Sequence, residues 1–315
     1  MFEKTFCSSP WFHLRLTYDG SFESCRWAKN PKRDTKFQNS SIMQFYNSEE
    51  MRSLRQQLLA GEAPEHCATC YYEESFGKLN GRLRQLLKSG IKVDQFDLTT
   101  RSSPHYESFK YSLDNNGMSD MAPVDLQIDL GNTCNSACIM CIPAASSRLE
   151  ADYHKLNKIK PQLFFKPNPY TAWTRDSRLV DKFITELVNI PNLRYIHFLG
   201  GETLYEESFY TICESLIKHG IAQDIIVGTT TNGTIYDDRV QYLIENFKQF
   251  HLGISIESVT NLNDYIRWPS RIDSVLLNID KFLKLRNVSP GLQVSLRITP
   301  NIFSISEIDK LFVYM

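Results

Sequence analysis

Three cysteines, Cys134, Cys138 and Cys141, stand in the stretch DLGNTCNSACIMCIPAASS with the spacing C-x3-C-x2-C. Thiolates are the ligands of iron–sulfur clusters and of zinc. A [4Fe–4S] cube has four irons, each taking one outside ligand, usually a cysteine thiolate. Three cysteines leave one iron open. An open metal position can bind a reacting molecule, as the open position of a catalytic zinc does. A zinc site or an incidental group of thiols is the alternative at this point.

The elements that must position these thiols follow from periodicity. From Val124 onward, apolar runs alternate with helical patterns. The strand readings are Val124–Asp129, Tyr195–Leu199, Ile225–Thr230, Leu252–Ile256 and Leu292–Ile298, with helices around Val180–Val188, Glu206–Lys218, Asp237–Lys248 and Ile272–Leu285. Such alternation implies an α/β fold with a parallel sheet or barrel. The cysteine loop then follows the first strand, at the strand end where α/β folds place their sites. The crossover at 151–178 is longer and more irregular than the others. The chain stops in LFVYM, inside a helix that Ser304 or Ser306 could cap, so it reads as cut short or as lacking its last strand.

A second group of thiols, Cys7, Cys25, Cys67 and Cys70, lies in the segment 1–90. WFHLRLTYDGSFESCRW alternates apolar and polar residues around Asp19-Gly20, the signature of a hairpin. NSEEMRSLRQQLLAG reads as a helix over Ser48–Ala60, capped by Asn47 or Ser48, with Met51, Leu54 and Leu58 on one face. The polar stretch 91–123 reads as a linker, and 124–315 as the second domain.

The 315 residues carry a net charge of −1, which gives no basic footprint for nucleic acid. No apolar run is long enough to span a membrane. The N-terminus has an early Glu3 and no apolar core, unlike a signal peptide. A cytoplasmic protein is expected, and clustered cysteines there point to metal before disulfides.

These motifs resemble the radical S-adenosylmethionine (SAM) superfamily, whose C-x3-C-x2-C motif follows the first strand of a partial (βα)6 barrel. The resemblance implies that Cys134, Cys138 and Cys141 hold a catalytic [4Fe–4S] cluster whose open iron chelates SAM. Reductive cleavage of SAM would then give a 5′-deoxyadenosyl radical that abstracts hydrogen from a substrate. FLGGETL resembles the family's GGE motif: Gly200 and Gly201 would admit close backbone approach, and Glu202 would accept from the SAM ammonium. TTTNGT and GISIES match the polar positions that hold SAM, which makes Thr231, Asn232, Ser255 and Glu257 candidates. Ser255 and Glu257 share a strand face by their period of two. Arg297, read as an arginine inside an apolar strand, would pair with the SAM carboxylate. Arg267 could serve substrate or SAM, or sit on the surface. Met140 matches the apolar position near the adenine.

Cys7 and Cys25 frame C-x12-G-x4-C around Gly20, and Cys67 and Cys70 complete it as C-x2-C. This resembles the half-SPASM, or twitch, domain, placed N-terminally here as in N-terminal twitch radical SAM proteins. It implies a second, auxiliary [4Fe–4S] cluster on four cysteines; a four-cysteine zinc ribbon is the alternative. The later SPASM cysteines are absent.

By the same resemblance the expected reaction is an oxidoreductase-type radical modification of a peptide or protein, with flavodoxin or ferredoxin as electron donor. A radical dehydrogenase or tailoring enzyme on a small polar metabolite is the second reading, and a non-catalytic iron–sulfur or zinc accessory protein the third. Cys213 shares a helical face with Phe209, Ile212 and Leu216 and reads as a core thiol. The basic run GKLNGRLRQLLK reads as the solvated face of a helix.

Overall fold

The computed structural model describes residues 5–29, 34–91, 105–160 and 171–314. The chain forms two compact units, Met1–Gln127 with Asn189–Leu193, and Ile128–Val188 with Arg194–Met315.

The first unit contains the expected hairpin. Strands β1 (His13–Leu16) and β2 (Phe22–Glu23) pair antiparallel, with Arg15 opposite Glu23 and Leu16 opposite Phe22. Gly20 takes φ +79° in the turn between them, a left-handed conformation that glycine adopts without strain. Helices α1 (Glu49–Leu59), α2 (Ala68–Glu74), α3 (Gly81–Lys88) and α4 (Tyr106–Asp114) follow. Ser48 caps α1 by accepting from the Met51 N–H, and Glu49 and Glu50 occupy its first turn. Met51, Leu54 and Leu58 are buried on its inner face.

Phe6, Trp11, Phe12, Leu54, Leu58 and Phe109 belong to one apolar core in this unit. Phe109 meets Phe6 and Trp11 edge-on at ring separations of 5.2 and 5.1 Å, a favoured aromatic geometry. The stretch 91–123 is therefore not simply a linker. Ile91 and Phe109 are core residues, and α4 anchors through the bond from Trp11 Nε1 to Ser112 Oγ, 2.8 Å long. Residues 92–104 of that stretch lie outside the described residues. The basic run over α3 is likewise not a purely solvated face: Arg82 and Leu86 are buried.

Strand β3 (Asp125–Asp129) leads into the second unit, where β4 (Tyr195–Leu199), β5 (Ile226–Thr231), β6 (Gln249–Ser255) and β7 (Leu292–Arg297) lie in that order, each parallel to the next. The Leu130 N–H donates to the Leu199 carbonyl, which places the end of β3 beside the end of β4. Between the strands run α5 (Ser147–Ile159), α6 (Ser177–Val188), α7 (Glu207–Lys218), α8 (Asp238–Asn246) and α9 (Ile272–Val288), and α10 (Ile308–Tyr314) follows β7. This is the mixed α/β architecture expected, with a mostly parallel sheet. Its five strands match the sequence readings closely, although β6 begins at Gln249 rather than Leu252.

Ile196, Phe198, Val227, Phe250, Leu252 and Ile254 are buried on the sheet, and Phe198 meets Phe209 of α7 edge-on at 5.2 Å. Cys213 is fully buried on α7 as a core thiol, and burial pushes its pKa well up. The expectation for β7 needs correcting. Its burial alternates, and Arg297 lies on the exposed side rather than inside an apolar strand. Leu292 is the fully buried residue, and Gln293, Ser295 and Arg297 share the outer positions by period two. Part of the irregular crossover, 161–170, lies outside the described residues. Among the described residues no helix is long and apolar enough to cross a membrane.

Candidate functional site

The loop after β3 carries Cys134, Cys138 and Cys141, all half-buried. Its backbone is fastened to the ends of other strands. The Glu202 N–H, at the end of β4, donates to the Thr133 carbonyl at 2.8 Å. Asn232, just past β5, donates through Nδ2 to Asn135 Oδ1 at 2.6 Å and to Ser136 Oγ at 3.0 Å. Asn135 returns a bond to Thr234 Oγ1 at 2.9 Å. Beyond β6, the Trp268 and Ile266 carbonyls accept from the Ala137 and Ile139 N–H groups at 2.6 and 2.9 Å. The Cys134 N–H donates to Ser147 Oγ at 3.1 Å, which ties the loop to the start of α5. The three thiols are therefore held at the carboxyl ends of the strands, where parallel sheets place their sites.

Gly201 has a geometric task in this arrangement. A Cβ there would stand 2.4 Å from the Thr133 carbonyl oxygen and 2.6 Å from that of Asn132. Only glycine lets the turn after β4 approach the cysteine loop so closely. At Gly200 the nearest atom to such a Cβ is the Gly131 oxygen at 3.2 Å, a looser fit.

Glu202 is 2% exposed. Its Oε1 accepts from Thr231 Oγ1 at 2.7 Å and from the Leu204 N–H at 3.1 Å, and its Oε2 accepts from the Asn232 N–H at 2.6 Å. Burial raises its pKa, against the lowering effect of these three donors. The carboxylate thus joins the end of β4 to the end of β5, which the sequence reading did not foresee. Thr231 and Asn232 are buried in the same network.

Glu257 lies just beyond β6 and is fully buried, paired with Arg267 through Nε and Nη2. The remaining Arg267 nitrogen, Nη1, is 3.9 Å from Cys138 Sγ. Arg267 is thus no surface residue: 11% of its side chain is exposed. Ser255 is half-buried and sits opposite Arg297 in the β6–β7 register. The Arg297 side chain lies over Gly253 and makes no hydrogen bond or ion pair among the described residues. Met140 is half-buried in the cysteine loop. The structure therefore groups the three cysteines with Glu202, Thr231, Asn232, Glu257 and Arg267. Asn135, Ser136 and Trp268 join it unforeseen; polar residues inside the cysteine spacing were the only available hint.

Burial raises the pKa of all three thiols, that of Cys138 to about 11, with Cys134 and Cys141 adding to the rise and Arg267 opposing it. The three sulfurs therefore sense one another across a small space.

The first unit brings Cys7, Cys25, Cys67 and Cys70 together. Burial raises each thiol, and each is raised further by neighbouring acidic groups, Cys7 by all three other cysteines. Cys67 precedes the first residue of α2 and Cys70 lies in its first turn, a spacing of three that puts both on one helix face. The segment with Cys25 is bound to the turn Glu65–Cys67 just before that helix by Ser24 Oγ and His66 Nε2, 2.6 Å apart, and by the Lys29 N–H donating to the His66 carbonyl at 2.9 Å.

Among the described residues no three His, Cys, Asp or Glu side chains form a single-ion site. A cube distributes its outside ligands over separate irons, so thiols need not converge on one point to hold it. The donor chemistry of both groups, thiols gathered and half-buried or buried, fits such a cluster.

Among solved structures, the chain is similar to native anSMEcpe with bound AdoMet, at 18% identity and a TM-score of 0.44, over 61% of this chain and 48% of that one. It is also similar to Streptococcus suis SuiB bound to S-adenosylmethionine, at 14% identity and a TM-score of 0.41, over 98% of this chain and 60% of that one. SuiB bound to precursor peptide SuiA matches at 14% identity with a TM-score of 0.39. The chain spans less than two thirds of the length of each of these proteins. Comparison with curated proteins finds no match. Residues 7–71 match the model of SPASM, an iron–sulfur cluster-binding domain. Residues 128–299, more than half of the chain and the whole span from the cysteine loop to the end of β7, match the model of the radical SAM superfamily, and the chain belongs to that superfamily.

Proposed function

We propose that this chain is a radical SAM enzyme whose catalytic [4Fe–4S] cluster is held by Cys134, Cys138 and Cys141. The carrying observation is the fastening of one three-cysteine loop to the carboxyl ends of β4, β5 and β6. When bound there, the cluster supplies the electron that cleaves SAM to a hydrogen-abstracting 5′-deoxyadenosyl radical.

The chain's own residues then have separable tasks. The three thiols give up their protons to become ligands. Glu202 holds the ends of β4 and β5 together, and its Oε2, with a single hydrogen bond so far, retains capacity for one more donor, such as an ammonium. Arg267 holds Glu257 and places a cation beside Cys138. Met140 offers an apolar contact, and Ser255 a hydroxyl at the end of β6.

The four cysteines of the first unit are proposed to hold an auxiliary [4Fe–4S] cluster, supported by their gathering and by the match of residues 7–71. The proposed substrate is a peptide or protein, a reading that rests on the resemblance to twitch radical SAM proteins, and flavodoxin or ferredoxin is the proposed reductant. The experiment is direct. Anaerobically reconstituted protein, given SAM and dithionite, should form 5′-deoxyadenosine and methionine. A protein that binds iron yet leaves SAM intact would be an accessory protein instead.

A further inference from the structure

We propose that the Glu74–Arg82 ion pair, held by Asn80, sets the electrostatic field at the four-cysteine site and so the reduction potential of a cluster bound there. The inference rests on the reading of that site as an iron–sulfur site. It concerns residues beyond the span 7–71 that matches a cluster-binding domain.

The pair is built into the chain segments that carry the thiols. Arg82 is 4% exposed, at the start of α3. Its Nη1 donates to the carbonyl of Phe6, the residue before Cys7, at 2.7 Å. Its Nε donates to Glu74 Oε1 at 2.7 Å, and its Nη2 binds Glu74 Oε2. Glu74 lies on α2, four residues after Cys70 and so on the same helix face. Asn80, 3% exposed, caps α3 and donates through Nδ2 to the Cys70 carbonyl at 2.5 Å and to Glu74 Oε1 at 2.9 Å. The guanidinium and the amide thus bind the peptide groups at two of the four cysteines, and the carboxylate joins the two.

The charges sit on the chain segments that carry the sulfurs, with Arg82 bound to the carbonyl before Cys7 and Glu74 one helical turn after Cys70. A buried charge is weakly screened. The potential of an iron–sulfur cluster follows its charge environment and hydrogen bonding. A neighbouring cation favours the reduced, more negative cluster, and a neighbouring anion disfavours it. Removing the cation should therefore lower the potential, and removing the anion should raise it.

The test uses the full chain with Cys134, Cys138 and Cys141 changed to Ala, so that only the four-cysteine site contributes. Iron per chain, zinc content, the midpoint potential and the electron paramagnetic resonance spectrum of the reduced state are measured. Expected is about four irons, a lower midpoint for Arg82→Gln, a higher one for Glu74→Gln, and a near-parental value for Arg82→Lys. A purely structural pair would move both neutral variants the same way, or neither. Unchanged or same-sign shifts, with iron retained, overturn the inference while leaving the cluster reading intact. Zinc in place of iron in the parent overturns both. Should Arg82→Gln fail to fold, Glu74→Gln and Arg82→Lys still decide the sign.

Discussion

Arg267 grips the fully buried carboxylate of Glu257 with two of its nitrogens and brings the third to 3.9 Å from Cys138 Sγ. One side chain therefore joins the turn beyond β6 to the cysteine loop. Glu257 also accepts from the Thr299 N–H at 3.3 Å, and its own N–H donates to Asn263 Oδ1 at 3.0 Å. The pair is the buried electrostatic anchor of the site.

Removing one partner would leave the other charge buried and alone. Arg267→Gln should destabilise the protein by about 3–5 kcal/mol, whereas Glu257→Leu with Arg267→Met should cost much less. Denaturant unfolding of the two variants and the parent measures the difference. Equal losses would mean that the pair is not coupled.

The two neighbouring glycines after β4 should differ. Gly201→Ala drives a methyl into two backbone oxygens of the cysteine loop, which cannot rotate away, at an expected cost of about 1–3 kcal/mol. The loop must shift, so iron per chain should fall toward the about four of the other site. Gly200→Ala meets its nearest atom at 3.2 Å and should keep its iron. Iron analysis with circular dichroism separates loss of the site from loss of the fold. Equal iron in both variants would count against the close approach.

Strand positions, helix positions and the cysteine loop were readable because each leaves a local pattern. Apolar runs mark β3 to β7, helical spacing marks α1 and α6 to α9, and the cysteine spacing marks the loop. What escaped depends on contacts far apart in sequence. Asn135 meets Asn232 across 97 positions, and Arg267 meets Cys138 across 129. Nothing local tells that Glu202 will face the Thr231 hydroxyl, or that Phe109 will enter a core with Phe6 and Trp11. Arg297 was misplaced because SLRITP does not by itself reveal which face of an edge strand is covered.

Asp125 makes the first unit sensitive to acid. Burial opposes its ionisation, but His13 and Lys88, at 3.2 and 3.1 Å, outweigh it and hold the carboxyl at about 2. An Asp in the unfolded chain titrates near about 3.9. The depressed pKa contributes stability that is fully present above about pH 4 and lost as pH falls through about 2, roughly 2 kcal/mol in all. Asp125→Asn should lower stability by about that amount at pH ~5 and converge with the parent below pH ~2. Unfolding free energies followed across that range check the sign. A difference that persists at the lowest pH would contradict it.

The most direct measurement of the central claim is SAM cleavage by the variant with Cys134, Cys138 and Cys141 all changed to Ala. With Cys7, Cys25, Cys67 and Cys70 intact, it should retain about four irons per chain and form no 5′-deoxyadenosine under dithionite. The parent, prepared alongside, should hold about eight irons and cleave SAM. 5′-Deoxyadenosine formed by the triple variant at the parent's rate would contradict the assignment of the catalytic cluster to the loop after β3.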